Sequence, residues 1–265
     1  MSKVKLKVAD TLDNGTERVR VCSAALIVTE IVNERGDTEY LQVMSLKKFN
    51  AGIRQFGPLG GALEFHDESR DFLLSIGAKF EDGNDLRMTL PVGNVDTYQE
   101  WFESRKGREI SPVREITEEL VTETGLLSNI SEADLNLTFA GNLVSTREST
   151  RPGAEILTTR YFHEVYHLTF SEAKRAEILA HINGDPIPQP TYLRMQYENE
   201  IDPSKPKPRG FGQRFVRLFS PPEIAAGRCM HQGEAATVSN MEELLPIVGV
   251  EWTEKDLNTG ISFRS

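Results

Sequence analysis

Cysteine is scarce in this chain. Cys22 and Cys229 are the only two, too few for a disulfide framework and wrongly spaced for zinc. The cytosol is therefore the expected compartment. Long apolar runs are missing as well: none approaches the roughly 18 residues of a membrane span. The opening MSKVKLKVAD alternates charge with aliphatics and has no signal-peptide core. No membrane partner is expected. Positive charge is in deficit, with 30 Lys and Arg against 40 Asp and Glu and a formal net charge of −10. That deficit argues against a long nucleic-acid partner held by phosphate contacts. It leaves room for a small phosphorylated molecule, because clustered carboxylates bind a divalent metal and the metal binds phosphate. Neither a Gly-x-x-x-x-Gly-Lys-Ser/Thr phosphate loop nor a Gly-x-Ser-x-Gly elbow occurs.

What is present reads as an ordinary α/β pattern. Residues 18–32, RVRVCSAALIVTEIV, are β-branched and apolar enough for a long buried strand. NERGDTE is a turn, and YLQVMSL at 40–46 completes a hairpin. Short helical and extended patterns fill 66–109. Ser111 and Pro112 mark the start of a helix that ends at Gly125. Strands are expected over 135–147 and 158–170, a helix over 171–183 with Ser171 as its cap, and a strand in QRFVRLFS. Six of the thirteen prolines fall in 184–210, which reads as an irregular loop or lid. EAATVSNMEELLPIVG closes the chain with a strand and a helix from about Met241 to Ile247.

The stretch REITEEL, 114–120, carries Glu115, Glu118 and Glu119 on one turn. Like charges at i, i+3 and i+4 repel by a few tenths of a kcal/mol per pair, roughly. A solvated acidic face is the ordinary reading of such a run. A divalent cation reverses the sign of the interaction, since hard cations take carboxylate oxygens. Upstream lies GPLGGALEFHDES, in which the paired Gly60 and Gly61 call for a tight bend or a close approach. In YFHEVYHLTF, His163, Glu164 and His167 look like a cluster. On a strand, however, 163 and 167 share one face and 164 takes the other, so a His-ligated metal is not expected. Cys229 beside His231 shows no orienting partner for a thiol nucleophile.

Gly-Gly-x-aliphatic-Glu followed by Arg-Glu-aliphatic-x-Glu-Glu resembles the Nudix hydrolase family, and among its branches the Nudix domains found beside nucleotide-signalling genes in bacterial antiviral systems. Arg114, Glu115, Ile116, Glu118 and Glu119 match the second half of the family's box; Gly60, Gly61 and Glu64 match the loop leading into the first half. Asp67, with Glu68 beside it, takes the place of the first-half Glu, yet Arg114 comes more than forty residues later. Val121 stands where the family has Gly, and Gly125 comes late. The box is therefore split by an insertion.

The resemblance implies an α/β/α sandwich with a mixed sheet. It implies one Nudix-like domain over 1–265, with insertions at about 69–109 and 171–230. It implies Mg²⁺ or Mn²⁺ held by Glu115, Glu118 and Glu119, with the Gly61 carbonyl completing the shell. The implied reaction is hydrolysis of a nucleoside triphosphate or diphosphate derivative to a monophosphate. Glu234 is the remote candidate for general base and Glu164 its rival. Arg114 is expected to pair with Glu68 or Asp67. Arg54 and Arg147 are candidates for phosphate contacts, and Phe56 for stacking on a base. Nudix domains often dimerise, and the insertions are natural places for homodimer contacts. The competing expectation is a Nudix-like module without catalysis that senses a nucleotide or holds a protein partner.

Overall fold

A computed structural model of the chain describes residues 17–45, 48–49, 52–148, 158–183, 215–231, 234–253 and 257. The expected loop or lid at 184–210 lies outside them. Among the described residues ten strands are Arg18–Val32 (β1), Thr38–Met44 (β2), Gln55–Gly57 (β3), Lys79–Phe80 (β4), Arg87–Pro91 (β5), Leu135–Glu148 (β6), Thr158–Phe170 (β7), Val216–Phe219 (β8), Arg228–His231 (β9) and Glu234–Val238 (β10). Helices are Arg70–Ser75 (α1), Val95–Glu103 (α2), Val113–Thr117 (α3), Glu172–Asn183 (α4) and Pro221–Ala226 (α5). The class is mixed α/β with a large mixed sheet, as expected. No helix among the described residues is long and apolar enough to cross a membrane.

The chain divides into two compact units. The first comprises the described residues of Met1–Ala25, Gly61–Pro112 and Asn142–Glu164. There the start of β1 pairs antiparallel with β5, Arg18 opposite Pro91 and Cys22 opposite Arg87, and β5 pairs with β4. Beyond β5 the Ser23 amide donates to the Leu86 carbonyl, while the Ser23 carbonyl accepts from Leu63. An aromatic core forms where α2 meets β7. Tyr98 and Phe102 are fully buried against Phe162, with ring centroids 5.3 and 6.0 Å apart.

The segment 69–109, expected as an insertion, belongs to this unit, and a narrow neck closes it. The His66 amide donates to the Gly107 carbonyl (2.9 Å) and the Glu109 amide to the Glu64 carbonyl (2.8 Å). Phe65 and Arg108 form an antiparallel bridge between them. The chain thus leaves and re-enters at neighbouring positions. Gly107 is required at the neck: its φ is +66°, and a Cβ there would sit 1.9 Å from Ser69 Oγ.

The second unit comprises the described residues of Leu26–Gly60, Val113–Gly141 and Val165–Ser265. The end of β1 forms a hairpin with β2, Glu30 opposite Tyr40. Its turn is set by Asn33, whose Oδ1 accepts from the amides of Arg35 and Asp37. β2 also pairs with β3 and β8, and β3 pairs parallel with β10, which continues to β9. Ser171 caps α4 as expected, its Oγ accepting from the Lys174 amide. One element differs from expectation. The segment 242–249 is a succession of turns, not a helix: Leu244 and Leu245 both donate to Met241, and the apolar Leu244 and Leu245 bury themselves without regular helical bonding. α5 and β9 carried no expectation. α5 is nonetheless signalled by Ser220-Pro221-Pro222-Glu223, a capping box with proline in the first turn, and it stops at Gly227.

Candidate active site

The site is built from the glycine loop and the acidic helix. In the second unit the Leu59 carbonyl accepts from the Ile27 amide, which ties the loop to β1. The next residue, Gly60, has φ of +137°, a conformation that L side chains rarely adopt. Its amide donates to Glu119 Oε2 at 2.9 Å. Gly60 and Glu119, 59 residues apart, therefore meet through one hydrogen bond.

α3 begins at Val113, and its continuation Glu118–Glu123 is a π-helical turn. The Thr124 amide donates to the Glu119 carbonyl five residues back (3.1 Å), and Thr124 Oγ1 donates to the same oxygen (2.7 Å). Fully buried Ile116 and Leu120 anchor the helix. The helix ends at Gly125, with φ of +62°, after one widened turn. Single π turns recur at functional sites because they shift side chains off the α-helical register.

Charge is concentrated on this segment. Burial, with Glu123, Glu115 and Glu118 nearby, raises the Glu119 carboxyl to about 8, against the lowering effect of the Gly60 amide. Burial and Glu118 also raise Glu123. Arg114 Nη1 lies 2.9 Å from Glu115 Oε1 and 3.3 Å from both oxygens of Glu118. The donor set suits a hard divalent cation: carboxylate oxygens only, with an ionisation cost at Glu119 that such a cation would offset. The rotamers present do not assemble it. Among the described residues no three His, Cys, Asp or Glu side chains converge into a metal-holding group. Glu115 and Glu118 are turned to Arg114.

The remaining candidates are distributed as follows. Arg54 and Glu234, assigned separately to phosphate and to base catalysis, form one ion pair, with Arg54 also over the Phe49 ring at 5.2 Å. Phe56 is fully buried, edge-on to Phe219 and His231, so it has no face for a base. The Gly61 carbonyl accepts from the Ala25 amide at 2.9 Å. Glu68 lies 3.8 Å from His66 Nδ1. Arg147 is exposed on β6, and its charge adds to burial in lowering His163 to about 4.

Glu164 is fully buried and accepts from Arg108 Nη2 at 2.7 Å, with Arg105 Nε at 3.4 Å. A buried, ion-paired carboxylate does not serve as a remote base. His163-Glu164-Val165-Tyr166-His167 also has the spacing of a helical zinc motif, but on strand β7 Glu164 points away from His163. His167 pairs with Glu30 instead, Nε2 to Oε2 3.1 Å. Cys229 is buried and its thiol is raised by desolvation, which makes it a poor nucleophile.

Arg108 is the residue that sequence reasoning missed. It is fully buried; its guanidinium donates to the Phe102 and Glu109 carbonyls and to Glu164, and stacks 3.9 Å from the Phe102 ring centre. It secures the neck of the insertion. Nothing in KGREI distinguishes it from a surface arginine.

Comparison with known proteins bears on this arrangement. No curated protein and no solved structure matches the chain. A family model described as the SMODS-associated NUDIX domain matches residues 18–200, from the first residue of β1 across both halves of the split motif. The match spans more than half of the sequence, and the chain belongs to the SMODS-associated NUDIX domain family.

Proposed function

We propose that the chain is a divalent-metal-dependent pyrophosphohydrolase. It cleaves a nucleoside triphosphate or a nucleoside diphosphate derivative to a monophosphate. Family membership points to a Nudix-type hydrolase or a related module, and Nudix enzymes generally use divalent metal ions. The observation that carries the enzyme reading is the hydrogen bond from the Gly60 amide to Glu119. It joins loop and helix despite the insertion, and it fixes the carboxylate most costly to ionise.

In this reading Glu115, Glu118 and Glu119 hold Mg²⁺ or Mn²⁺. A bound ion would supply charge neutralisation at phosphate oxygens and a more acidic water. Glu119 is oriented by Gly60, and the π turn sets its direction. Glu234 is the remote candidate for taking a proton from water, with Arg54 as its counter-ion. Arg54 in turn presents a planar fork that suits a phosphate. The family's description, together with the resemblance to Nudix domains of nucleotide-signalling systems, supports a place in antiviral defence.

One observation favours a second reading, a nucleotide sensor without catalysis. Arg114 already pairs with Glu115 and Glu118. Phosphate release from a nucleotide panel decides between them, with Mg²⁺, with Mn²⁺ and with chelator. Release that needs metal and disappears in Glu118→Gln/Glu119→Gln supports the enzyme. No release, with a nucleotide still raising Tm, supports the sensor.

A further inference from the structure

We propose that Thr124 is a positioning residue for Glu119: its hydroxyl and its amide both donate to the Glu119 carbonyl and hold the widened turn in the register that aims the Glu119 carboxylate at the Gly60 amide. The inference rests on reading Glu119 as a working carboxylate of the proposed site, and it says what sets the direction of that side chain.

The partners of the hydroxyl lead there. A threonine on a helix ordinarily donates back to the carbonyl three or four residues earlier. Thr124 Oγ1 instead makes its short bond to the Glu119 carbonyl, five residues back, at 2.7 Å; the Leu120 carbonyl, four residues back, lies at 3.3 Å. The Leu120 carbonyl does not need that proton, since it accepts from the Leu127 amide at 3.0 Å. The Glu119 carbonyl therefore takes two donors from one residue, the Thr124 amide at 3.1 Å and the hydroxyl. The hydroxyl also accepts from the Leu126 amide at 3.3 Å, which ties it to the chain beyond the helix. Thr124 is buried, so solvent does not compete for these bonds and the side chain is no substrate contact. Ile116 before the turn and Leu126 and Leu127 after it are buried as well. The extra residue of the turn must be taken up between these anchors, and the carbonyl that absorbs it is that of Glu119. Two donors on this oxygen restrict the peptide that follows Glu119, and with it the direction in which the side chain leaves the helix. The carboxylate then meets the Gly60 amide at 2.9 Å.

Amide exchange read by NMR on the full chain, in chelator, tests this with neither metal nor turnover. Wild type is compared with Thr124→Val, which keeps the shape and removes the hydroxyl, and with Thr124→Ser, which keeps the hydroxyl. In Thr124→Val the Gly60 amide should exchange on the order of tenfold faster. The Ile27 amide, which donates to the neighbouring Leu59 carbonyl, should keep its wild-type rate. Thr124→Ser should restore Gly60. An unchanged Gly60 rate in Thr124→Val overturns the proposal. Faster exchange at Gly60 and Ile27 together also overturns it, because general loosening is what a threonine that only supports the fold would give. A serine variant as fast as the valine variant has the same consequence. Thr124→Ala supplies the comparison if the valine variant does not fold. Where a nucleotide is hydrolysed, Thr124→Val should lower kcat about tenfold and leave KM unchanged; an unchanged kcat with Gly60 released overturns the positioning role. The enzyme reading fails differently: wild type hydrolyses no nucleotide, while Gly60 still responds to Thr124→Val.

Discussion

Gly60 and Glu119 are 59 residues apart in the chain, and the amide of one donates to the carboxylate of the other at 2.9 Å. This bond restores the proximity that an unsplit Nudix box has through sequence alone. It relieves part of an electrostatic load on the helix. Glu119 sits among Glu115, Glu118 and Glu123, with burial as the largest influence on its ionisation.

Glu119→Gln should therefore stabilise the metal-free protein while removing turnover. The native carboxyl is raised to about 8 from an ordinary value of 4.5. Between these values the native state holds a proton that the unfolded chain has released. The native state binds more protons, so stability falls as pH rises through that window. In chelator, wild type should lose stability from pH 5 to pH 8, and Glu119→Gln should lose less. At pH 8 the variant should gain about 1 kcal/mol or more, a few degrees in Tm. Parallel pH profiles from urea melts of the two proteins would mean that Glu119 is solvated in the native state.

The sequence made some of this legible and not the rest, for identifiable reasons. β1 was readable to the residue because a fifteen-residue β-branched run has few alternatives. The acidic helix was readable because carboxylates at i, i+3 and i+4 demand an explanation. The π turn was not: one extra residue in a turn hardly alters an apolar stripe as short as Ile116 and Leu120. The closing helix was overcalled, since MEELLPIV has helical spacing but folds as turns around Met241. Arg108 was invisible because its burial depends on Glu164, 56 residues away.

The segment 69–109 supplies core to the first unit. Tyr98 is fully buried, and its hydroxyl lies 2.6 Å from Ser23 Oγ. Tyr98→Ala should cost about 3–5 kcal/mol. Leu74, on α1 of the same segment, is 51% exposed. Leu74→Ser should change stability by less than about 0.5 kcal/mol. Chemical denaturation of both variants distinguishes a core segment from an appendage. A small loss for Tyr98→Ala would show that the segment is an appendage.

The neck makes a sharper demand. Arg108 and Glu164 are both wholly buried and paired at 2.7 Å. Glu164→Gln should cost about 3–5 kcal/mol, because it leaves the buried Arg108 charge without its carboxylate; Arg108→Met should cost less, because Arg105 remains 3.4 Å from Glu164. The double variant Arg108→Met/Glu164→Gln should cost less than the sum by at least about 1 kcal/mol. Full recovery is not expected, because the Phe102 and Glu109 carbonyls also lose their donor. Strict additivity in equilibrium unfolding would show that the two side chains do not depend on each other.

Arg54 and Glu234 separate substrate binding from base catalysis. Their ion pair is partly exposed, with side-chain exposures of 22% and 58%. Breaking it should cost less than about 1 kcal/mol of stability, so kinetic effects can be read without a folding correction. If Arg54 meets a phosphate, Arg54→Ala should raise KM about tenfold and leave kcat nearly unchanged. If Glu234 takes the proton from water, Glu234→Gln should lower kcat on the order of a hundredfold and leave Mn²⁺ binding intact. Should both variants keep wild-type kcat and KM, the pair is only a clasp between β10 and the residue before β3, and the base must be sought on the acidic helix itself.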